Sequence, residues 1–377
     1  MSREARRLSR LRILRMVKKE IRQLFRDPKT KRVIFVAPII QLILFGYAVN
    51  TDVRNVAMAL VDHDRTAESR SLVSAFTASG YFRVVETSDD AAALGRALDR
   101  GSAVVALQIP AGFAADLKAR RSPAVQLLVD GTNSNTATVA QGYALKIAQA
   151  HGVRVAEEAG VMVPQAVDLR TRAWFNPSLA SRVYNVPAVI GVIVLLMCLL
   201  LTALAVVRER EVGTLEQLLV SPLSAMELML GKTLPVAGIA MVQMGLVTTV
   251  ALLWFDIPLR GSVPLLLGAA ALFILAGLSF GLFISTISAT QQEAFLAMFL
   301  FILPSIILSG FLYPVDTMPE FFQVLTLANP LRHFLEIVRG IFLKGSGIQD
   351  LWIQFTVLTA MSATGLAVAA RRFKATL

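Results

Sequence analysis

An apolar stretch that ends abruptly in charge constrains this chain more than any other feature. Residues 186–207 are 22 apolar or small residues, and Arg208, Glu209, Arg210 and Glu211 follow them directly. About 20 apolar residues suffice for a helix to cross the roughly 30 Å hydrocarbon layer of a bilayer. The charge block therefore predicts where a membrane helix leaves the bilayer. The amphipathic segment behind it predicts a short helix that can receive force from a partner.

The composition supports a membrane protein. The chain has 377 residues, a mean hydropathy of +0.62 and 55% hydrophobic residues, which is too apolar for a soluble globular protein of this size. Three histidines and one cysteine leave little material for a metal site or a disulfide framework. Cys198 lies inside the apolar stretch and is interpreted as a small packing residue. We predict no catalytic, cofactor-binding or metal-binding residue in this chain.

Positive charge is concentrated at the amino end. Residues 1–32 contain 13 Lys and Arg residues but only three acidic residues. A basic arm of this kind can bind nucleic acid. Here it directly precedes a hydrophobic stretch, where Lys and Arg enrichment is the usual signal of the cytoplasmic side. We therefore predict a topology signal and no nucleic-acid partner.

Hydropathy predicts six membrane spans, at residues 33–49, 186–207, 233–254, 263–284, 294–311 and 351–370. A basic tail, 371–377, follows the last span, so an even number of spans puts both termini in the cytoplasm. The first span has no small-residue cleavage site after it and is interpreted as a retained anchor.

The basic arm also has an amphipathic pattern. Its apolar face consists of Leu14, Val17, Ile21, Leu24 and Phe25, and its basic face of Arg15, Lys18, Lys19, Arg22 and Arg26. A helix of this kind prefers the membrane interface. Asp27-Pro28 then predicts a break before the first span. The alternative interpretation is a charged cytoplasmic tail that is only partly ordered.

The segment between the first two spans, residues 50–184, has the composition of a globular domain. Strand-like runs at 56–61, 81–86, 102–109 and 125–129 alternate with helical stretches at 67–78, 90–100, 112–120 and 135–158. This alternation predicts an α/β domain, which the topology puts outside the cytoplasm. Asp62-His63-Asp64 suggests a metal site, but we favour a strand-to-helix turn in which Asp64 or Thr66 caps the next helix.

After the fifth span, residues 312–347 are predicted to form short, re-entrant-like outer helices. Thr317 to Glu320 fits a capping box, which predicts a helix as far as Leu327. Asn329-Pro330 predicts a break, and a second helix is expected from 331 to 343. On that helix Glu336 is expected to pair with a basic neighbour three residues away, either His333 or Arg339.

The spans contain almost no ionisable residue. Gln41, Gln243 and Gln354 are the strongly polar residues near span interiors, while Lys232 and Glu293 lie at span ends. An ion-driven transporter needs charged groups inside the bilayer, so this pattern argues against one. The chain also lacks the phosphate-binding loop of an ATPase. We expect any energy for transport to enter through residues 209–219, from a partner that hydrolyses ATP.

Four stretches together resemble those of ABC-2 type transporter permeases. They are FRDPKT at 25–30 with LFGYA at 44–48; WFNP at 174–177; RERE at 208–211 with the following GT and EQL and the later GK at 231–232; and LSGF at 308–311 with MP at 318–319 and RG at 339–340. The third stretch is the specific one. The chain looks like the subgroup that has a large periplasmic domain between the first two spans and is often described as multidrug exporters.

This resemblance implies an α-helical membrane protein with six transmembrane helices and an inserted α/β extracytoplasmic domain, 50–184. Residues 1–32 would hold the cytoplasmic interface helix that contacts the ATPase, with Leu14, Val17, Ile21, Arg22, Leu24, Phe25 and Arg26. Residues 208–232 would hold the cytoplasmic coupling helix and loop, with Arg208, Glu209, Arg210, Glu211, Gly213, Thr214, Leu215, Glu216, Leu218 and Leu219. The three glutamates would meet basic groups of the ATPase, unless they only solvate a loop. The outer exit helices would include Phe311, Pro314, Met318, Pro319 and Arg339.

The same resemblance implies the partners. They are a dimer of ABC ATPase subunits that holds ATP and Mg²⁺, a second permease copy or a paralogous permease, membrane lipids and a periplasmic adaptor protein. The location would be the bacterial inner membrane, and this chain would bind no cofactor and not be an enzyme. Two alternatives stay open: an ABC-2 permease for a lipid or glycan, and a membrane receptor or scaffold with a sensing outer domain.

Overall fold

A computed structural model describes residues 3–48, 53–119, 121–158, 160, 174–177, 180–213 and 224–376. The chain divides into two compact units. The first consists of Met1–Asn50 and Arg172–Leu377, and the second of Thr51–Thr171.

The first unit begins with two helices, α1 (Arg3–Arg26) and α2 (Pro28–Ala48). Asp27 separates them, as the sequence predicts. Pro28 occupies the first position of α2, where its missing N–H needs no partner. The helix α2 therefore starts before the predicted span at residue 33, and its apolar stretch runs over Lys31–Ala48.

The second unit is a mixed sheet with helices. Its elements are β1 (Val56–Asp62), α3 (Ala67–Ala78), β2 (Phe82–Ser88), α4 (Ala91–Asp99), β3 (Val105–Ile109), α5 (Phe113–Lys118), β4 (Gln126–Val129) and α6 (Ser134–Glu158). The strand order is β2-β1-β3-β4. β1 runs parallel to β2 and β3, and β4 runs antiparallel to β3. Each strand overlaps one of the predicted runs, because buried positions in this sheet are occupied by β-branched and other apolar residues.

The turn after β1 has the structure that the sequence favours. Asp62 Oδ1 accepts hydrogen bonds from the backbone N–H groups of Asp64 and Arg65, both at 3.0 Å. Thr66 is the N-cap of α3 and accepts from the backbone of Ser69. Asp64 reaches instead to the start of α5, where its carboxylate accepts from Gly112 N. Across the described residues, no group of His, Cys, Asp and Glu is arranged to hold a metal ion.

The remainder of the first unit is a helical bundle. Its long helices are α7 (Ser181–Glu211), α8 (Ala225–Trp254), α9 (Val263–Ile287), α10 (Gln291–Ile307) and α13 (Ile348–Thr376). The short helices α11 (Glu320–Thr326) and α12 (Pro330–Arg339) lie between α10 and α13. Within the described part of the chain, α2, α7, α8, α9 and α13 are long and apolar enough to cross a membrane, and α10 is a shorter apolar helix.

Several helix ends differ from the predicted span ends, and two of them have a clear local cause. The helix α8 begins at Ala225, ahead of residue 233, because Ser224 and Glu227 form a capping box there. The helix α10 ends at Ile307, before residue 311. The Ser309 hydroxyl donates to Ile306 O, and Gly310 adopts a positive φ of 77°, which turns the chain out of the helix.

The capping box predicted at Thr317 is wrong. Thr317 lies in a 3₁₀ turn, Val315–Thr317, and its hydroxyl donates to Pro314 O at 2.7 Å. Pro319 is the N-cap of α11 and has no side-chain cap. The predicted second helix is present as α12, which Asn329 caps and which continues into a π-helical turn, Gly340–Lys344.

The helix α12 folds back into the core of the bundle. Its Phe334 ring stacks on Phe273 of α9, with the ring centroids 4.0 Å apart. Gly191 of α7 allows this close packing: a Cβ there would lie 3.0 Å from side-chain atoms of Phe334 and Leu335. A larger residue at position 191 would push α12 away from α7.

Candidate functional site

The carboxyl end of α7 carries a buried ionic cluster centred on Lys232 of α8. Only 2% of the Lys232 side chain is exposed. Its Nζ atom lies 3.3 Å from Glu20 Oε1 of α1 and 3.2 Å from Glu209 Oε1 of α7. It also donates to the backbone oxygen of Ala205 at 3.0 Å. An ammonium group has three donors, and this site supplies three acceptors, one on α1 and two on α7. The cluster therefore ties α1, α7 and α8 together.

Two weaker contacts extend the cluster along α1. Lys19 Nζ lies 3.4 Å from Glu209 Oε1, but the Lys19 side chain is 48% exposed. Arg12 Nη1 lies 3.8 Å from Glu227 Oε2, and Glu227 also closes the capping box of α8. Exposed ion pairs contribute at most about 1 kcal/mol. The position of α1 therefore depends mainly on Lys232 and on apolar packing.

Apolar packing holds α1 at the same place. Met16 of α1 is buried in a cluster with Val206, Leu228, Met229, Leu282 and Ala369. Gly231 faces Met16 so closely that an added Cβ would lie 2.5 Å from Met16 Cγ. Only a residue without a side chain fits at this position.

The charge block at the end of α7 is held to the start of α10. Arg210 Nη1 donates to Ser288 O at 2.8 Å, at the point where α9 ends. Gln291 Nε2 of α10 donates to the Glu211 carboxylate. Arg208 is exposed, and Gly213 turns the chain with a positive φ of 76°. The predicted coupling residues Thr214, Leu215, Glu216, Leu218 and Leu219 lie outside the described residues.

The structure gives Glu209 an internal role. The sequence-based expectation is that Glu209 meets basic groups of a partner ATPase, together with Glu211 and Glu216. In the structure its carboxylate contacts Lys232 and Lys19 within the chain. The partner contact stays a prediction, and Glu209 is the least accessible of the described candidates for it.

Part of the predicted apolar face of α1 is partly buried, and the rest is exposed. Val17 and Leu24 are partly buried, whereas Leu14, Ile21 and Phe25 are exposed. The most buried positions on α1 are Met16 and Glu20, which the amphipathic pattern did not single out. Arg22 and Arg26 are exposed and line one basic groove with Arg15, Lys18, Lys19 and Gln23.

A second polar region lies at the amino end of α7, where Arg339 of α12 is the central residue. Its guanidinium carbon lies 3.7 Å from the centre of the Tyr184 ring, and its Nη1 donates to Gly310 O at 2.9 Å. The Nε and Nη2 atoms are buried and have no hydrogen-bond partner among the described residues. Of the other predicted exit residues, Phe311 is buried, Met318 is partly buried, and Pro314 and Pro319 are exposed.

The predicted pairing of Glu336 with His333 or Arg339 is wrong. Glu336 contacts Arg332, at 3.2 Å, and Gln354 of α13, at 2.8 Å. His333 Nε2 lies 3.0 Å from the backbone oxygen of Leu327. Neither observed partner is three residues from Glu336: Arg332 is four residues away, and Gln354 is on another helix.

Lys232 and Glu20 were not among the predicted site residues. Lys232 appeared only as a residue at a span end and in the Gly231-Lys232 pair. The available signal was a lysine at the start of an apolar span, which is expensive unless it is paired. Taken together, the described residues form a buried ionic cluster that joins α1, α7 and α8, and a second polar region around Arg339.

Comparison with known proteins gives consistent matches over nearly the whole chain. Residues 32–371 match the family described as "ABC-2 family transporter protein". The chain is 33% identical over 353 residues to the "Probable multidrug ABC transporter permease YbhR" of Escherichia coli, covering 94% of this chain and 95% of the relative. It is 33% identical to the "Probable multidrug ABC transporter permease YbhS" of the same organism, with 90% of each chain covered. It is 31% identical to the "Inner membrane transport permease YhhJ", with 85% of each covered.

Proposed function

The chain belongs to the ABC-2 family of transporter proteins, and on that premise we propose that it exports apolar or amphipathic, drug-like compounds. It is a multi-pass membrane permease subunit of an ABC exporter, and in this family the ATPase is a separate subunit. We propose that ATP and Mg²⁺ bind to that partner and not to this chain.

Six membrane crossings are part of the proposal. The five long apolar helices would each span the bilayer, and α10 would be the sixth. Its 17 residues extend about 26 Å at 1.5 Å per residue, slightly less than the hydrocarbon thickness. The basic arm 1–32 and the residues Arg371 and Arg372 would then lie on the cytoplasmic side of the bacterial inner membrane. The unit Thr51–Thr171 would be the periplasmic α/β domain.

The coupling to the ATPase would occur at the carboxyl end of α7. Residues 208–219 would seat in a groove of the ATPase, with α1 beside them. The observation that carries this proposal is the buried contact of Lys232 with Glu20 and Glu209. Because it joins α1, α7 and α8, a push on the end of α7 would move the three helices as one body.

Export would require a second permease copy or a paralogous permease, so that two bundles enclose one pathway. ATP would draw the two coupling segments together, and the compound would leave beside α11 and α12. Exposed apolar side chains on and near α11 support a location in contact with lipid or substrate; they are Leu312, Tyr313, Phe321, Phe322, Val324, Leu325 and Leu327. A periplasmic adaptor would dock on the periplasmic domain.

Charge reversal at the coupling segment tests the proposal. The chain is co-expressed with its ABC ATPase subunit and reconstituted into liposomes, and ATP hydrolysis is measured with and without rhodamine 6G. We expect Glu211→Arg and Glu216→Arg to reduce hydrolysis to the level of the ATPase alone. Asp99→Arg is the matched control, because it makes the same change of charge at an exposed position of α4 in the second unit.

Four outcomes separate the alternatives and test the coupling site. Stimulation by rhodamine 6G together with its ATP-dependent movement supports a drug exporter. Stimulation only by a lipid or glycan would redirect the proposal to that substrate class. An unchanged rate in both coupling variants would reject the coupling site, and no association with any ATPase would favour a receptor.

A further inference from the structure

The basic groove of α1 has a volume of about 620 Å³ and lies on the half of the helix that leads into α2. Five of its six lining residues are basic and none is acidic; they are Arg15, Lys18, Lys19, Arg22, Gln23 and Arg26. They recur every three or four residues, so they form one stripe along about 17 Å of the helix. Small-molecule sites measure roughly 300–1,000 Å³, so the groove has room for a charged group of that size.

The protein itself does not balance the positive charge of this groove. Lys19 lies 3.4 Å from a Glu209 carboxylate oxygen and 3.8 Å from one of Glu20. The other four basic side chains of the groove form no ion pair among the described residues. Like charges three or four residues apart on one helix repel each other. An anion in the groove would relieve this repulsion.

A stripe of exposed apolar side chains borders the groove. Leu14, Ile21 and Phe25 are exposed, and each lies three or four residues from Lys18 or Arg22. In the cytosol such a stripe would face water. At a membrane interface it faces the acyl chains, and the basic side chains beside it reach the phosphates of the headgroups. The pattern of the two stripes therefore fits a lipid surface.

The apolar stripe continues onto the exposed side of α2. The ring centroids of Phe25 and Phe35 are 5.9 Å apart. Farther along α2, Val36, Ile40 and Leu44 are exposed, and α2 is long and apolar enough to cross a membrane. If α2 crosses the bilayer as proposed above, the groove lies beside its point of entry, at the level of the lipid phosphates.

We propose that the basic groove of α1 binds the phosphate of an anionic phospholipid, whose acyl chains lie along the apolar stripe and α2. Clusters of roughly four to eight Lys and Arg residues next to a membrane helix are typical of anionic-lipid binding. The competing occupant is an acidic surface of the partner ATPase, which would leave the apolar stripe unexplained. The inference rests on the proposed crossing of α2, but it requires neither the ATPase nor the exported compound.

Matched lipids test the site on the purified full chain in a neutral detergent. Phosphatidylglycerol has a net negative charge, phosphatidylcholine with the same acyl chains is zwitterionic, and the corresponding diacylglycerol has no phosphate. Native mass spectrometry gives the dissociation constant of each lipid. We expect phosphatidylglycerol to bind about 25-fold more tightly than phosphatidylcholine, which corresponds to two basic side chains at about fivefold each. Diacylglycerol should bind more weakly than both.

Hydrogen–deuterium exchange in nanodiscs locates the bound lipid. We expect nanodiscs that contain phosphatidylglycerol to protect residues 15–26 more strongly than nanodiscs of phosphatidylcholine alone, with β2 unaffected as an internal control. Inorganic phosphate added to the phosphatidylcholine nanodiscs, at the concentration of the anionic lipid, should give no such protection. This arm separates a lipid headgroup from a free phosphate ion.

Two double variants make the assignment specific. Arg15→Gln with Arg22→Gln removes two cations of the groove, and it should reduce the affinity for phosphatidylglycerol about 25-fold. Arg83→Gln with Lys146→Gln removes two exposed cations of the second unit, and it should leave that affinity unchanged. Thermal unfolding of both double variants checks that the fold is retained.

The lipid series on the unaltered chain decides the matter even if a variant fails to fold. Equal binding of phosphatidylglycerol and phosphatidylcholine, or protection confined to other helices, would overturn the site and leave the groove to an acidic surface of the ATPase. Equal protection by inorganic phosphate would overturn the lipid as the source of the anion. An unchanged preference in Arg15→Gln with Arg22→Gln would overturn the groove as its location. Failure of the proposed ATPase coupling would not alter these results, because no ATPase is present in the measurements.

Discussion

At the carboxyl end of α7 the buried Lys232 ammonium has an acceptor for each of its three N–H groups, whereas at the amino end Arg339 is buried with two nitrogens that lack a partner. Tyr184, beside Arg339, and Glu209, beside Lys232, are 25 residues apart on α7, which is about 38 Å at 1.5 Å per residue. Among the described residues, the Lys232 ammonium thus has a complete set of hydrogen bonds, and the Arg339 guanidinium has an incomplete one.

Whether a buried charge is fully paired affects how easily the helices around it can move. Buried charge that is fully paired holds its helices in one arrangement, because any separation would expose unpaired charge to a low dielectric. Buried donors that have no partner lose no hydrogen bond when the side chains around them move, and they gain a hydrogen bond when an acceptor enters the site. We infer that the Lys232 end moves as a rigid body and that the Arg339 end is the part that rearranges during export.

The largest expected effect comes from removing Lys232. Lys232→Met would leave the Glu20 and Glu209 carboxylates buried, with only the half-exposed Lys19 ammonium near them. Breaking a buried ion pair from one side costs about 3–5 kcal/mol of folding free energy. Thermal unfolding of the purified protein in detergent should show a correspondingly large loss of stability, together with loss of ATPase stimulation.

A second lysine variant tests whether the loss of stability is specific to the buried Lys232 contact or follows from removing any positive charge near Glu209. Lys19→Met also removes a lysine that lies near Glu209, but from a half-exposed position, so it should cost at most about 1 kcal/mol. The triple variant Lys232→Met, Glu20→Gln and Glu209→Gln should recover much of the loss. Equal stabilities of Lys232→Met and Lys19→Met would contradict the comparison.

The second largest expected effect comes from the apolar contact between α1 and α8. In Gly231→Ala the new Cβ would overlap Met16 Cβ and Cγ, at 2.8 and 2.5 Å, so α1 must shift. Overpacking of this kind costs about 1–3 kcal/mol. The control is Gly238→Ala on the same helix, where nothing lies within 4 Å; alanine should be neutral there or stabilise the helix by up to about 1 kcal/mol.

Limited proteolysis reports directly on the position of α1 in these variants. Gly231→Ala should expose the basic arm to trypsin, and Gly231→Ala combined with Met16→Ala should protect it again. If Gly231→Ala and Gly238→Ala have the same stability and the same sensitivity to trypsin, the close approach between α1 and α8 does not contribute to stability.

The helices were predictable from the sequence because their signals are local. Apolar stretches of about 20 residues predicted the long helices, and Asp27-Pro28 predicted the boundary between α1 and α2. Strand-like runs that alternate with helical stretches predicted the four strands of the second unit, and the central strands β1 and β3 are buried along almost their whole length. Helix ends were less accurate: the end of α10 depends on Ser309 and Gly310, which an apolar window does not resolve.

The pairs within the site were not predictable in the same way. Glu20 and Lys232 are 212 residues apart, so no spacing rule connects them. Glu336 has suitable neighbours on its own helix, yet Gln354 of α13 is one of its partners. Residues with these roles become visible only when the packing of the helices is known. The coupling residues 214–219 lie outside the described residues and remain predictions.

The smallest expected effect on stability is that of Arg339, although its effect on export should be large. Arg339→Met removes one hydrogen bond to Gly310 O and the contact with Tyr184, and it also removes two buried donors that lack partners. Loss of the hydrogen bond and of the ring contact costs about 1–2 kcal/mol of folding free energy. Part of this cost is offset, because the two donors no longer have to be buried without partners. We expect a net change of about 1 kcal/mol or less in thermal unfolding.

A double-mutant cycle with Tyr184→Leu separates the ring contact from the rest of this effect. If the guanidinium rests on the ring, the coupling between the two positions should be about 0.5–2 kcal/mol, while Tyr184→Phe should leave it unchanged. Rhodamine 6G transport should fall in Arg339→Met even though the fold is retained, because the rearranging end has lost its unpaired donors. A stability loss in Arg339→Met as large as that in Lys232→Met would mean that both ends are fully paired, and the distinction between a rigid end and a rearranging end would no longer hold.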